Sequence, residues 1–406
     1  MNGEEIIGRL LDAEGRADPY PLYARAHRLG PVSEAGPNMV LAVGHREVNQ
    51  VLRSTAFHVP DAALRERWED GYLEHSSKVL LGASMLETNA PDHGRMRSLI
   101  ASVFTARRVA ALEPAVVAAV DGLLAELAEA GADGAPVDFM DAFAYRLPVG
   151  VICELLGVPA EDRHRFRPLA DDLTAALELL PSDPELAAAD AAADELADYF
   201  TELAAKRQAE PTDDLVSALV QAAAADHGRL SGRELLANLV LLLAAGFETT
   251  ANLLGNGLAL LFEHPAERAA LRSGEVTPAG LVDEVLRYDS PVQLTSRISL
   301  SDELAVGGVP TPYGTGIYLL LGAANRDPAR YPDPERFDPR RTDSQPVSFG
   351  GGPHFCLGAQ LARLEATVAL PALLDRFPDL APARAPSRRS GLVLRGFHTL
   401  PVALRG

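Results

Sequence analysis

The sequence predicts a mainly α protein with small β-sheets, and three features carry that expectation. Helical periodicity dominates residues 107–225, punctuated by Gly131, Gly134, Pro159, Pro181, Pro184 and Pro211. The capping box Ser231-Gly232-Arg233-Glu234 then opens a helix that is apolar nearly all round, LLANLVLLLAAGFETTANLLGNGLALLF, and such a helix runs through a core. Alternating stretches are short and scattered, at 31–33, 39–43, 298–306 and 391–404. No repeat and no linker composition divides the chain, so residues 1–406 are expected to form a single domain.

Composition narrows the function classes. With 47% hydrophobic and 23% charged residues the chain can bury a sizeable core. A formal charge of −19 argues against nucleic acid, because nothing neutralises phosphates in bulk. Two cysteines make no disulfide framework and fit a reducing cytoplasm. The N-terminus, MNGEEIIGRLLDAEGRADP, carries acids where a signal peptide carries positive charge. The apolar run 235–247 is interrupted by Asn238 and ends at Glu248, short of the roughly 18 residues of a membrane span. A buried helix and no membrane partner are expected.

In chain order, a helical pattern over 22–29 follows Asp18-Pro19, and a strand pair flanks Gly36-Pro37-Asn38. Residues 45–53 read as helix, whereas 54–86 show no lasting period and read as a long irregular connection. In PDHGRMRSLIASVF (91–104) His93 and Arg97 stand four apart, on one helical face. Residues 186–205 form a long Ala-rich surface helix. Within the core helix, Ala245-Gly246-Phe247-Glu248-Thr249-Thr250 puts a carboxylate and two hydroxyls where they are locally unfavourable, a frequent mark of function. Thr277-Pro278 caps the next helix, which carries Glu284 and Arg287 three apart. Residues 391–404 read as a strand hairpin turning near Phe397 and His398.

The stretch from Phe349 to Glu365, FGGGPHFCLGAQLARLE, organises the rest. Gly350, Gly351, Gly352 and Pro353 lead to Cys356, and a helix pattern starts just after Gly358. Such a loop lays backbone close against another body, and N–H groups at a helix N-terminus favour thiolate over thiol. On these residues alone Cys356 is a small buried hydrophobe, a nucleophile whose base is not placed, or a soft-metal ligand. Zinc is poorly supported, since the other cysteine, Cys153, lies in an apolar helical run.

The string resembles the haem-binding signature of the cytochrome P450 family, Phe-Gly-x-Gly-x-His/Arg-x-Cys-x-Gly, and meets it at Phe349, Gly350, Gly352, His354, Cys356 and Gly358. That resemblance implies haem b as cofactor and Cys356 as its proximal thiolate ligand. It makes His93, Arg97, Arg297 and His354 partners of the haem propionates, although Asn89 replaces a common aspartate and Gly94 a common threonine. Ala245 to Thr249 resemble the family's oxygen-activation motif, which implies that Ala245 and Gly246 flank the dioxygen site while Glu248 relays protons and Thr249 orients water and oxygen. Glu284 and Arg287 resemble its Glu-x-x-Arg pair, expected to close an ion network with Arg336 of YPDPERFDPR.

The implied fold is the family's triangular, mostly helical single domain with small sheets on one side. The implied reaction is O₂-dependent monooxygenation of an apolar or amphipathic small molecule, by hydroxylation or epoxidation, in tailoring of a natural product such as a polyketide or macrolide. Leu242, Leu243, Val292, Leu294 and Phe397 are expected to line the pocket. Electrons are expected from a separate ferredoxin and ferredoxin reductase, docked on a basic patch of Arg107, Arg108 and Arg363. A haem-thiolate enzyme of oxidative coupling is the alternative; a non-catalytic haem or ligand carrier gives no reason for Glu248-Thr249.

Overall fold

The computed structural model describes residues 1–102, 104–225 and 230–405; Val103, within the stretch read as helical over 91–104, lies outside them. The chain divides into two compact units, one of Met1–His58, Val120–Ala144 and Thr249–Gly406, the other of Val59–Ala119 and Tyr145–Glu248. After helices at Gly3–Leu11 and Ala13–Ala17, the first unit continues with α1 (Tyr20–His27), β1 (Val32–Gly36), β2 (Met39–Ala42), α2 (His45–Arg53) and β3 (Phe57–His58). The second begins with α3 (Ala62–Trp68), α4 (Ser76–Gly82) and α5 (Asp92–Ala101). After β4 (Val137–Asp138) in the first unit come α6 (Arg146–Leu156) and α7 (Asp183–Ala209) of the second. Helix α8 (Gly232–Glu263) has residues in both. The remainder belongs to the first: α9 (Pro278–Tyr288), β5 (Leu294–Ser299), β6 (Ala305–Val306), β7 (Val309–Pro310), β8 (Gly316–Leu320), α10 (Ala359–Arg376), β9 (Ala381–Pro382), β10 (Ser387–Arg388), β11 (Phe397–Thr399) and β12 (Pro401–Ala403).

The molecule is mostly helical with small sheets, as the patterns required. The main sheet has the order β1-β2-β8-β5-β3, with β2 and β8 parallel and the other neighbours antiparallel. Two sequence expectations are corrected. The stretch 54–86 is not irregular: it holds β3, α3, a single turn at Tyr72–Glu74 and α4, each too short to show a period. Nor do residues 391–404 form a hairpin, because β11 pairs with β10 whereas β12 pairs with β4 and β9. Leu400 alone separates the two strands, and its N–H donates to Asp138 (2.8 Å) while its carbonyl accepts from Phe139 N (3.0 Å). One residue is too little for a hairpin loop.

Helix α8 starts at the predicted capping box: Ser231 N donates to Glu234 Oε2 (2.7 Å) and Glu234 N to Ser231 Oγ (3.2 Å). It continues past the polar residues at 248–250 to Glu263, in keeping with the pattern read to Phe262. By length and composition it is able to cross a membrane, with mean hydropathy 1.4 over an 18-residue window, but 72% of that window is buried inside the fold. Three glycines bring other side chains against its backbone. A Cβ at Gly246 would stand 2.8 Å from Ile152, one at Gly255 2.7 Å from Met140, and one at Gly257 2.9 Å from Leu370.

A buried charge cluster ties the ends of the first unit together. Asp289, after α9, accepts from Tyr20 of α1 (2.8 Å), from Arg395 (2.7 Å) and from Arg388 (3.3 Å). Arg395 also donates to the carbonyl of Ala17 (3.0 Å), and Tyr23 to Gln293 (2.9 Å). Burial would push the Asp289 carboxyl up, yet Arg395 and Arg388 outweigh it and hold the pKa at about 2. A depressed carboxylate stabilises the fold above its unfolded value near 4 and loses that contribution as pH falls through about 2. Asp289→Asn is expected to lower stability by about 3–5 kcal/mol at neutral pH and to flatten the acid limb of unfolding measured between those pH values. Parallel acid limbs for variant and wild type would contradict this.

Candidate active site

The cysteine loop is positioned from α9. Thr277 accepts from Gly280 N (3.1 Å), and Pro278 begins the helix as its sequence predicts. Arg287 is fully buried, and all five guanidinium N–H groups have acceptors. Two go to Glu284 (both 2.7 Å); the others reach the carbonyls of Asn325 (3.1 Å), Pro334 (2.9 Å) and Arg336 (3.0 Å). Asn325 in turn accepts from Val347 N (2.8 Å) and donates to Ser348 Oγ (2.8 Å), the residues immediately before Phe349.

From there the chain turns on itself. Gly350 (φ +70°) and Gly352 (φ +63°) occupy the left-handed region that favours glycine, and a Cβ at Gly352 would collide with the carbonyl of Leu52 on α2. Cys356 N donates to Phe349 O (2.9 Å), closing the loop, and α10 begins just beyond Gly358. Cys356 is exposed, unlike Cys153, which is buried on α6 with its thiol pKa pushed up by burial to about 12. The Arg363 guanidinium lies over the Phe349 ring (4.5 Å) and pairs with Asp283 of α9 (3.0 Å). Arg363, expected in the docking patch, thus carries Asp283 as its partner.

Helix α8 presents the oxygen-motif residues on distinct faces. Leu242, Ala245 and Thr249 follow the spacing of one face; Ala245 is exposed and Thr249 half-buried in a helix that is otherwise mostly inside. Leu243 and Phe247 share the fully buried side, where Phe247 meets Tyr145 edge-on (6.5 Å). Glu248 and Thr250 are also buried, and Gly246 is the point of closest approach to Ile152 on α6.

The expected propionate cations occupy two elements besides the loop. Arg297, on β5, is 5% exposed, and its bonded acceptor is the carbonyl of Ser296 (2.7 Å). Among the described residues no carboxylate pairs with it, and burial pulls its pKa down to about 10. A buried cation lacking its own anion suits a ligand that brings carboxylates. On α5, His93 is buried and Arg97 half-buried, while Arg95 between them reaches Glu234 of α8 (3.2 Å). His354, in the loop, is half-buried. Asn89 braces the connection before α5, exchanging bonds with Val59 N and O (both 3.0 Å).

With this arrangement in place, the comparisons decide the family. The family model described as Cytochrome P450 matches residues 33–276 and 279–392. The chain belongs to the cytochrome P450 family. It is similar to cytochrome P450 monooxygenase PikC of Streptomyces venezuelae, 38% identical over 403 residues that cover 97% of this chain and 93% of that protein. It is also similar to 6-deoxyerythronolide B hydroxylase of Saccharopolyspora erythraea, 41% identical over 327 residues, 80% of this chain and 78% of that one. The crystal structure of ligand-free CYP164A2 from Mycobacterium smegmatis matches with a TM-score of 0.88 at 38% identity, covering 98% of this chain and 100% of that chain. The protein is thus a cytochrome P450 monooxygenase, and the family's cofactor is haem b.

Two site expectations for this P450 are revised by the geometry. Arg336 does not close the Glu284–Arg287 network through its side chain, which is 65% exposed and points to Asp338 at 3.9 Å; only its carbonyl takes part. The third member is Arg341, 3.5 Å from Glu284 and bonded to the carbonyls of Pro332 (2.9 Å) and Asp333 (2.8 Å). The segment turns at Asp338, whose N–H is fixed by Glu284 (2.7 Å), and that turn brings the later arginine inward. Phe397 is buried under Arg388 (4.2 Å) and against α8 at Gly255, whereas the residue bridged to Val292 is Leu394. Leu294 is buried on β5. Alternation over Leu392, Val393 and Leu394 was the available signal for that position.

Arg341→Ala is expected to destabilise the protein by about 1–3 kcal/mol, through loss of its pairing with the buried Glu284 carboxylate. Arg336→Ala should stay within about 0.5 kcal/mol of wild type. Thermal unfolding of both variants checks this, and the reverse order would restore Arg336 to the network.

Proposed function

We propose that this P450 inserts one oxygen atom from O₂ into an apolar or amphipathic small molecule, by hydroxylation or epoxidation, in tailoring a natural product of polyketide or macrolide type. The observation that carries the reading is the exposed Cys356 on a glycine-turned loop directly before α10, braced by the fully buried Glu284–Arg287 pair. Similarity to a 6-deoxyerythronolide B hydroxylase and to the monooxygenase PikC supports the substrate class.

Cys356 Sγ, as thiolate, would hold the haem iron, with Phe349, Gly350 and Gly358 shaping its loop. His93, Arg97, Arg297 and His354 would hold the propionates. Bound haem supplies the iron at which O₂ is reduced and from which one oxygen atom passes to substrate. That reduction takes up protons, and a buried carboxyl next to a half-buried alcohol is a suitable path for them: Glu248 carries the proton on its carboxyl and Thr249 Oγ1 hands it on. Ala245 and Gly246 leave space beside them. Leu242, Leu243, Val292 and Leu294 are the proposed apolar lining, with Leu394 in place of Phe397. The two units are proposed to act as one domain, the protein to be cytoplasmic, and its electrons to come from a ferredoxin and its reductase. With Cys356 assigned to the haem iron, the one remaining cysteine is too few to ligate an iron–sulfur cluster within the chain.

The carbon monoxide difference spectrum of the dithionite-reduced protein tests the iron site. A red-shifted Soret band typical of thiolate ligation is expected, and Cys356→Ser should abolish it in folded protein. A spectrum of histidine ligation would refute the assignment. Thr249→Ala is expected to keep that band but to lower the product formed per reducing equivalent about ten-fold, the difference appearing as peroxide. Undiminished coupling would remove Thr249 from the proton path.

A further inference from the structure

One ion pair of the first unit stands against the cysteine loop without belonging to the buried network that braces it. Asp283 of α9 meets Arg363 of α10 through a single oxygen, Oδ1, which accepts from Nε (3.1 Å) and Nη2 (3.0 Å). Both side chains are 35% exposed, and a pair so open to water adds little to stability. Its position is what distinguishes it. The Arg363 guanidinium lies over the Phe349 ring, 4.5 Å from the centroid, and the carbonyl of Phe349 accepts from Cys356 N (2.9 Å). A planar guanidinium on an aromatic face is held by charge and by stacking together. The cation is thereby fixed beside the loop that carries the sulfur. The anion that neutralises it comes from the helix that braces the same loop, one residue before Glu284. Among the described residues neither side chain has a second ion-pair partner, whereas Glu284 and Arg287 neutralise each other in the interior. Each charge of the exposed pair is therefore uncompensated once the other is removed.

Charge close to a redox centre changes the free energy of adding an electron: an uncompensated cation favours the reduced state and an uncompensated anion opposes it. We infer that Asp283 and Arg363 act as a matched pair that sets how readily this P450 accepts its first electron, Arg363 raising the reduction potential through its place on Phe349 and Asp283 holding that rise in check. Both are positioning residues for electron transfer and touch neither substrate nor the reacting atoms. The step concerned is the one-electron reduction of ferric to ferrous haem by an external one-electron donor, an iron–sulfur protein in turnover or dithionite in the test. No covalent bond forms or breaks in it and no proton moves. The inference rests on the haem reading proposed above.

A spectroscopic redox titration of the holoenzyme with dithionite and mediators tests it, on wild type, Asp283→Asn, Arg363→Gln and the double variant. Asp283→Asn keeps an oxygen for Arg363 and loses only the charge. It should shift the reduction equilibrium about ten-fold toward the ferrous form, a rise of about 59 mV for one electron. Arg363→Gln should shift it about as far the other way, and the double variant, neutral again, should return to within about two-fold of wild type. Shifts of one sign in both single variants, or none, would overturn the inference and leave the pair a surface contact only. If Arg363→Gln does not hold haem, salt decides. The gap between Asp283→Asn and wild type should close as the Debye length falls from about 30 Å at 0.01 M to about 3 Å at 1 M. A gap that persists at high salt refutes a charge effect. A wild-type protein without the thiolate-type carbon monoxide band fails at the haem reading itself, a result distinct from the others that takes the inference with it.

Discussion

The pairing of Glu284 with Arg287 inside α9 is the constraint on which the cysteine loop depends. A buried guanidinium is tolerable only when its charge is neutralised and its donors are satisfied. Here that requirement gathers distant backbone: carbonyls at 325, 334 and 336 converge on one side chain, and Asp338 N–H on its partner. Asn325 then transmits the position to Val347 and Ser348, one residue before Phe349. The sulfur is placed by a chain of bonds that begins more than sixty residues upstream, on a helix with no direct part in the chemistry.

The core helix sets a second constraint, because it must be apolar enough to be buried and polar enough to work. It divides the two demands by face. Leu243 and Phe247 supply burial, Ala245 and Thr249 supply access, and Glu248 stays inside. The same logic extends to Asn238, a polar residue kept in the interior because backbone from another segment needs an acceptor there. Polar interruptions in an apolar run thus mark where the helix meets something other than side-chain hydrocarbon.

Legibility in the sequence followed the range of the interactions. The capping boxes, the proline-started α9 and the left-handed glycines at 350 and 352 are local, and the residues that demand them sit within a few positions. The family motifs were readable for the same reason. Arg336 was misplaced because a sequence shows that an arginine lies near Phe337 but not which way a non-repetitive turn faces; the inward one is Arg341. The strand after Leu400 leaves its predecessor for a different sheet, a choice set by partners at 137–138 and 381–382 rather than by its own alternation. The short helices in 54–86 were hidden because two turns carry no period. The pairing of Arg363 with Asp283 was not legible, since the two lie eighty residues apart.

The glycines of α8 bear on how such a chain changes over generations. Where Ile152, Met140 and Leu370 press on bare backbone, a substitution enlarges the helix against a neighbour already in contact, so the rod is closed to gradual change at those points. The short elements over 59–91 are joined to their surroundings by side-chain bonds such as those of Asp190 and Asn238. Lineages descending from this chain inherit the rod almost unaltered at those three points.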